Sequence, residues 1–328
     1  MKKFLYFTVI VGIILVGYLL LTEKVGNQIK KVENTTVKIG YQQTSLYQHL
    51  FLAVDRGLFN EAALDVELVP FTSANQMMSA LLAGKIDVTG LTNMEVALRI
   101  EARSPDEFEF ANMLVWNQKA FPDYLLDCTD KFQISSVNDI SGRILGRHPG
   151  SAVDAFAREV LSLHQVDLKK VQFVELKPPL MRESVVSGSI DALYAMDPVS
   201  TQLINLGVCK PLLENPLGTL IESPIPIAGT AISKKFMTDF PEAAKSVQRV
   251  LDKGIELTRN AQNSVEVLSS IERYTELDAE TVSNLRKSIY WTSNEVDLLE
   301  VQRIADKFYE LNISEKKLDV TELFSFDK

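Results

Sequence analysis

The sequence predicts an α/β protein of two similarly built lobes carried behind an N-terminal membrane helix. Three observations predict it: an unbroken apolar run from Phe4 to Leu21, an alternation of short β-rich runs with helix-spaced runs from about residue 36, and a return of that alternation about 105 residues later.

At 328 residues the chain is long for a single core and suited to two lobes of ordinary size. Apolar residues make up 46% and charged residues 23%, which is the balance of a folded body and not of a disordered or polytopic membrane protein. The net charge is −9 and no long basic run follows the first three residues. Nucleic acid is therefore excluded as a partner, because phosphate recognition needs a concentrated Lys/Arg footprint.

Lys2 and Lys3 precede the apolar run, and Thr22-Glu23-Lys24 end it. Residues 4–21 as a helix rise about 27 Å, close to the roughly 30 Å hydrocarbon core. The two lysines set the short end inside the cell and the body outside. A cleaved signal peptide has the same layout, but its apolar part is usually ~7–15 residues and ends at a small-x-small site, which is missing after Leu21. The reading is an uncleaved anchor over residues 4–21 and a linker over 22–35, with a secreted body as the alternative.

Val37-Lys38-Ile39-Gly40-Tyr41 reads as a strand, and Leu46, Leu50, Ala53, Val54 and Leu58 follow at helical spacing with Gly57 placed to stop the helix. Val66–Val69 is the next strand, Ala74–Ala83 a helix closed by Gly84, and Ile86–Thr89 a third strand. The order returns as strand Ile144–Arg147, a helix from Ser151, strand Val171–Glu175, helix Leu180–Val186 closed by Gly188, and strand Ile190–Leu193. Gly40 faces Gly146, Ser45 faces Ser151, and Gly84-Lys85-Ile86-Asp87 faces Gly188-Ser189-Ile190-Asp191, at an offset of 104 to 106 residues throughout. A kept order and offset predicts two lobes built alike.

Residues from about 234 to 328 are nearly all helical in pattern, with stripes such as Ala243, Val247, Val250 and Leu251, and Leu285, Ile289, Leu298, Val301, Ile304 and Phe308. They pack most economically on the first lobe. Lobe one is then 36–122 plus 224–328 and lobe two 123–223, with crossings near Phe121–Leu126 and Ser223–Ala228. Two crossings make a hinge, and the cleft between lobes is a standard place for a small molecule.

Ligands of open α/β sheets sit beyond the carboxyl ends of the strands, where helices begin. That rule selects Gln42, Thr44 and Ser45 after the first strand, Thr92 and Asn93 after the third, Gly150 and Ser151 after the matching strand of lobe two, and Asp197 after its partner. Most are also good helix caps, so capping alone is the competing explanation. Free N–H groups at Ser45 and Ser151 would suit an anionic oxygen. Tyr41 and Tyr194 end strands and could wall the site, or be ordinary core aromatics. Asp197 would welcome an amine or hydroxyl donor, unless it turns into its own helix. Arg147 and His148 could add positive charge; Trp116, near the first crossing, reads as core, with a hinge or cleft role as the alternative.

Cys128 and Cys209 are not in a CxxC spacing, and only His49, His148 and His164 are available beside them. No metal or other cofactor is predicted. Two buried free thiols are expected, with one disulfide as the alternative in an oxidising compartment.

The segment from Ile39 to about Leu213 resembles the periplasmic substrate-binding proteins of ABC importers, of the nitrate, sulfonate, taurine and thiamine-precursor (NMT1/THI5-like) type. The residues that carry the resemblance are Ala53-Val54-Asp55-Arg56-Gly57-Leu58-Phe59, Leu81 to Val88, Ser136 to Arg143, Gly150-Ser151, and Ile190-Asp191-Ala192 before Asp197-Pro198. It implies a two-lobed type II binding-protein fold, each lobe a mixed, mainly parallel sheet flanked by helices, with a two-strand hinge. It also implies a monomer at the periplasmic side of the inner membrane that delivers a small, anionic or heteroaromatic organic molecule to an ABC permease. The resemblance brings the acid before Pro198, the Gly-Ser turn and the loop after the first strand to the cleft. Ligand identity does not carry over, because the selecting residues vary among such proteins.

Two rivals remain. A tethered sensing domain would use the same cleft. An enzyme is conceivable because the fold also performs pyrimidine synthesis, yet the sequence has no HExxH, GxSxG, Walker A or dinucleotide glycine motif, and His49 is its single catalytic candidate. A non-enzyme is the expectation.

Overall fold

The computed structural model describes residues 34–118, 123–130, 132–261, 264–285 and 288–324. The anchor expected over residues 4–21 lies outside them. Among the described residues no helix is long and apolar enough to cross a membrane.

Lobe one opens with β1 (Thr35–Tyr41), α1 (Gln48–Asp55), α2 (Leu58–Glu61), β2 (Leu64–Pro70), α3 (Ala74–Leu82), β3 (Val88–Thr89), β4 (Thr92–Asn93), α4 (Met94–Arg103) and β5 (Phe108–Trp116). The chain then builds lobe two from β6 (Asp123–Asp127), β7 (Ile144–Arg147), α5 (Ser151–Leu163), β8 (Gln172–Glu175), α6 (Pro178–Val186), β9 (Ala192–Met196), α7 (Val199–Asn205) and β10 (Lys210–Glu214). It returns through β11 (Ile225–Ser233), α8 (Lys234–Asp239), α9 (Pro241–Asn260), α10 (Val265–Tyr274), α11 (Ala279–Asn284), β12 (Ile289–Trp291) and α12 (Leu298–Glu310). Lobe one carries one sheet in the order β12-β5-β11-β3-β1-β2, with β4 against β11, and lobe two another in the order β10-β6-β9-β7-β8.

The repeat seen in the sequence has a physical content. In lobe one, β1 runs parallel to β3, and the Asp87 carboxylate that precedes β3 accepts the Lys38 N–H of β1 at 2.9 Å. In lobe two, β7 runs parallel to β9, and Asp191 accepts the Ile144 N–H at 2.8 Å. Each acid follows an isoleucine whose side chain covers the glycine of the neighbouring strand. A Cβ on Gly40 would lie 2.6 Å from Ile86 Cδ1, and one on Gly146 would lie 2.9 Å from Ile190 Cδ1. Gly84 (φ 65°) and Gly188 (φ 68°) close the preceding helices in the left-handed region, where glycine pays no Cβ penalty. The Gly-Ile-Asp sets named here therefore do equivalent jobs in both lobes.

The sheets depart from the expectation of mainly parallel pairing. β11 is antiparallel to β3, β4 and β5, β12 is antiparallel to β5, and β6 is antiparallel to both β9 and β10. The reason is the crossing itself: a chain that leaves lobe one by β5 and re-enters by β11 lays those strands side by side in opposite directions. The tail is also not wholly helical. Ile289 sits in β12, whose Ile-Tyr-Trp run suits a strand better than a helix, and Leu285 only ends α11. Near the return crossing, Asn215 Nδ2 donates to the Asn117 carbonyl at 3.2 Å, and Arg303 of α12 donates to the Pro224 carbonyl at 3.0 Å.

Cys128 and Cys209 form a disulfide, not the free thiols expected. The antiparallel register pairs Asp127 with Lys210, so the next residues outward, Cys128 and Cys209, face each other with Cα atoms 4.3 Å apart. Sequence spacing alone does not reveal that register.

The bridge joins residues 81 positions apart, a loop whose closure removes about 4 kcal/mol of unfolded-state entropy at 25 °C. Dithiothreitol is expected to lower the urea midpoint clearly, and an unchanged midpoint on full reduction would show the bridge idle. Gly40→Ala is expected to cost about 1–3 kcal/mol by overpacking, read in the same unfolding experiment.

Candidate functional site

The carboxyl ends of the parallel strands open onto a cavity of about 230 Å³ between the lobes. For scale, an apolar cavity of ~150 Å³ admits benzene. Lobe one contributes the turn after β1 (Gln42, Thr44, Leu46, Tyr47), the start of α4 (Asn93, Glu95), and Leu114 and Trp116 of β5. Lobe two contributes His148 and Pro149, the first turns of α5 (Ala152, Val153, Phe156), and Met196, Asp197 and Leu217. Phe308 of α12 and Ile227 and Ala228 of β11 complete the wall. Four aromatic rings, Tyr47, Trp116, Phe156 and Phe308, thus face one small space.

Of the residues selected from sequence, Gln42, Thr44, Asn93 and Asp197 line this cavity. Gly150 and Ser151 lie between the lining residues Pro149 and Ala152, and Ser151 bonds across the cleft to Glu95. Ser45 and Thr92 are buried behind the wall, at 8% and 1% exposure. Ser45 opens only a short 3-10 turn, and α1 starts three residues later at Gln48, so no α-helix begins at Ser45. Tyr41 packs edge-on against Tyr47 and Phe51, backing the wall from behind. Tyr194 is fully buried in the core of lobe two, and its hydroxyl donates to Asp123 at 2.5 Å. In sequence its strand ends at Leu193, which puts Tyr194 at the cleft, but β9 runs on to Met196, so Tyr194 lies mid-strand with its side chain in the core.

Asp197 is partly committed. Its Oδ1 accepts from Ser200 Oγ at 2.7 Å, Thr201 Oγ1 at 2.6 Å and the Thr201 N–H at 3.2 Å, so it is bonded into the first turn of α7 while bordering the cavity. Arg147 is spoken for as well, paired with Asp154 at 2.8 Å and Glu175 at 3.2 Å, and it does not line the cavity. Its side chain is 13% exposed, so it is neither a cleft cation nor a free surface arginine.

Glu95 is a contact that sequence reasoning missed. Residue 150, which precedes α5, is glycine and offers no side-chain cap. The cap comes from the other lobe: the Ala152 N–H donates to Glu95 Oε2 at 3.2 Å, Ser151 Oγ donates to Oε1, and Arg99 pairs with the same carboxylate. In sequence, an acid in the first turn of α4 reads simply as a favourable dipole partner of its own helix. The aromatic lining was equally hidden, since Tyr47, Phe156 and Phe308 come from three separate helical stretches.

Among the described residues lining the cavity none is Lys or Arg. His148 is held down to about 4 by burial, and its Nε2 is buried with no hydrogen-bond partner; Thr44 Oγ1 is in the same condition. Tyr47 donates to the Leu91 carbonyl at 2.8 Å, and burial pushes its pKa up. Asp123, under the wall, accepts from Tyr194 and from the Leu217 N–H at 3.4 Å, and burial raises its carboxyl well above the usual range. His49, the catalytic candidate from sequence, is fully buried against Tyr290 at 4.7 Å between ring centroids and is held near 3 by desolvation. It has no access to the cavity. Among the described residues no cluster of three His, Cys, Asp or Glu side chains is placed to hold a metal.

A family model described as NMT1/THI5 like matches residues 47–264. No curated protein matches the sequence significantly. Several solved structures share the fold. The alkanesulfonate-binding protein SsuA from Xanthomonas axonopodis pv. citri, bound to MOPS, aligns with a TM-score of 0.69 at 18% identity, over 89% of this chain and 98% of that one. The periplasmic aliphatic sulphonate-binding protein SsuA from Escherichia coli aligns with a TM-score of 0.68 at 19% identity, over 88% and 91%. The periplasmic nitrate-binding protein NrtA from Synechocystis PCC 6803 gives 0.65 at 14% identity, over 88% and 83%. At such identities the likeness concerns the fold alone.

The buried imidazole makes a pH prediction. The folded state refuses a proton that an unfolded His148 takes up below its ordinary 6.5. Its contribution to stability is therefore complete above pH 6.5 and is lost as the pH falls towards 4, at no more than ~1.4 kcal/mol per pH unit. His49 acts in the same sense, whereas Asp252, raised to about 6 by burial, acts in the opposite one. The difference between wild type and His148→Gln isolates the one group. The variant should lose less stability between pH 6.5 and 4.5, and parallel curves would show that His148 is solvated.

Proposed function

Because the chain belongs to the NMT1/THI5-like family, we propose that its body is an extracytoplasmic solute-binding protein that closes on a small heteroaromatic molecule and delivers it to an ABC permease. The observation that carries this reading is the cavity between the lobes, walled by Tyr47, Trp116, Phe156 and Phe308. Flat rings stack on flat rings, and a ring-sized apolar slot with a few polar atoms is a usual form of small-molecule site. In this reading Gln42, Thr44, Asn93 and Asp197 meet the polar edge of the ligand, with Thr44 Oγ1 and His148 Nε2 receiving the hydrogen bonds they lack. Gly150 and Ser151 hold the entrance of α5 against lobe one. The fold relatives are binding proteins by name, which supports a binding role over a catalytic one. The disulfide supports a body that matures outside the cytoplasm.

A ligand that binds only the folded protein stabilises it by RT ln(1 + [L]/Kd), about 2.7 kcal/mol at a hundredfold excess over Kd, and so raises its melting temperature. A thermal-shift screen of the full chain against single-ring heteroaromatics should give a saturable rise. Trp116→Ala should reduce that affinity about tenfold or more, as removal of a buried aromatic anchor does. Val153→Trp should abolish the rise by filling the cavity without lowering the basal melting temperature by more than a few degrees. A rise that survives Val153→Trp would place the ligand elsewhere.

A further inference from the structure

Glu95 belongs to the first turn of α4 in lobe one, yet its carboxylate lies at the start of α5 in lobe two. Backbone N–H groups at a helix start carry positive partial charge and ordinarily attract an anion. Here that place is taken. Oε2 accepts the Ala152 N–H at 3.2 Å, Oε1 accepts the Ser151 hydroxyl, and a Cβ built on Gly150 would stand 3.8 Å from Oε2. Arg99 balances the charge from within lobe one, and the Glu95 side chain is only 11% exposed.

A second observation points the same way. The cavity beside this contact has no Lys or Arg among its described lining residues, and two carboxylates, Glu95 and Asp197, border it. Its buried polar atoms without partners are a hydroxyl, Thr44 Oγ1, and an imidazole nitrogen, His148 Nε2. Both suit hydrogen bonds with an uncharged group, and neither is a fixed positive charge. An anion entering here would be desolvated, would meet carboxylates, and would find the helix start already filled.

We infer that Glu95 is a specificity residue, an internal anion that reserves the helix start of lobe two and restricts the cleft to a ring carrying no negative charge. The inference rests on the cleft being the ligand site and adds the charge class of the ligand. It sets this chain apart from the sulfonate- and nitrate-binding proteins whose fold it shares.

Calorimetric titration of the full chain with benzamide and benzenesulfonate compares one ring with and without negative charge. Wild type is expected to bind benzamide at least tenfold more tightly than benzenesulfonate. Glu95→Ala, which empties the helix start, should gain at least tenfold in affinity for benzenesulfonate. Glu95→Gln keeps an oxygen that can accept the Ala152 N–H but removes the negative charge, so it should hold the lobes together, leave the position filled and gain less for benzenesulfonate than the alanine variant. Benzenesulfonate binding to wild type as tightly as benzamide would overturn the inference, whether or not the alanine variant folds. So would a folded Glu95→Ala that gains nothing. Failure of the cleft reading looks different: no benzamide binding to wild type, or binding undiminished by Val153→Trp, removes the site itself and the inference with it.

Discussion

An aspartate that ties two neighbouring strands, used twice, fixes the geometry on which the rest depends. Asp87 holds the Lys38 N–H in the middle of β1 and Asp191 the Ile144 N–H that opens β7, while the preceding isoleucine presses on a glycine of that strand. A carboxylate bonded to a backbone N–H is stronger than a neutral pair, and a glycine under a branched side chain admits one spacing only. The central strands of both lobes are thereby set in register with their neighbours. Their carboxyl ends then deliver Gln42, Thr44, Asn93, His148 and Asp197 to a common space.

Part of the wall of that space comes from outside the repeat. Phe308 arrives from the last long helix, Trp116 from the strand that leaves lobe one, and Leu217 from the turn that precedes the return. The contact of Glu95 with Ser151 and Ala152 joins two helix starts that belong to different lobes. The repeat sets the frame of the cavity, and residues outside the repeat complete its wall. For that reason a shared fold at 14–19% identity with sulfonate- and nitrate-binding proteins says little about what this cleft accepts.

Much of the frame was legible in the sequence because it is local. Glycines at Gly57, Gly84 and Gly188 end helices in the left-handed region, and the alternation of strands and helices follows from hydrophobic periodicity. The antiparallel strands were not legible, because β5, β11 and β12 are joined by pairings between distant parts of the chain. Ile289 fits a helical stripe in the sequence, yet in the fold it pairs with Val115 of β5. Strand-end logic selects Gln42, Thr44, Asn93 and Asp197, which line the cavity, but it ends the strand before Tyr194 too early: β9 continues to Met196 and carries Tyr194 into the core. Glu95 escaped because a carboxylate in a first helical turn has an adequate local explanation. Cys128 and Cys209 escaped because their meeting depends on the register of β6 against β10.

The interleaved order of the strands also dictates the order of assembly. β3 needs β11 as its outer neighbour, and the bond from Thr230 to the Gly90 carbonyl spans 140 residues. Lobe two, by contrast, is drawn from one continuous stretch and needs nothing made after β10 to finish its sheet. During vectorial emergence the middle of the chain can therefore condense while the first half-sheet still waits with an unpaired edge. Loop-closure entropy reinforces this sequence, since the shorter separations within lobe two cost less to bring together. Lobe one finishes last, so the mouth between the lobes exists only once the final third of the chain has docked.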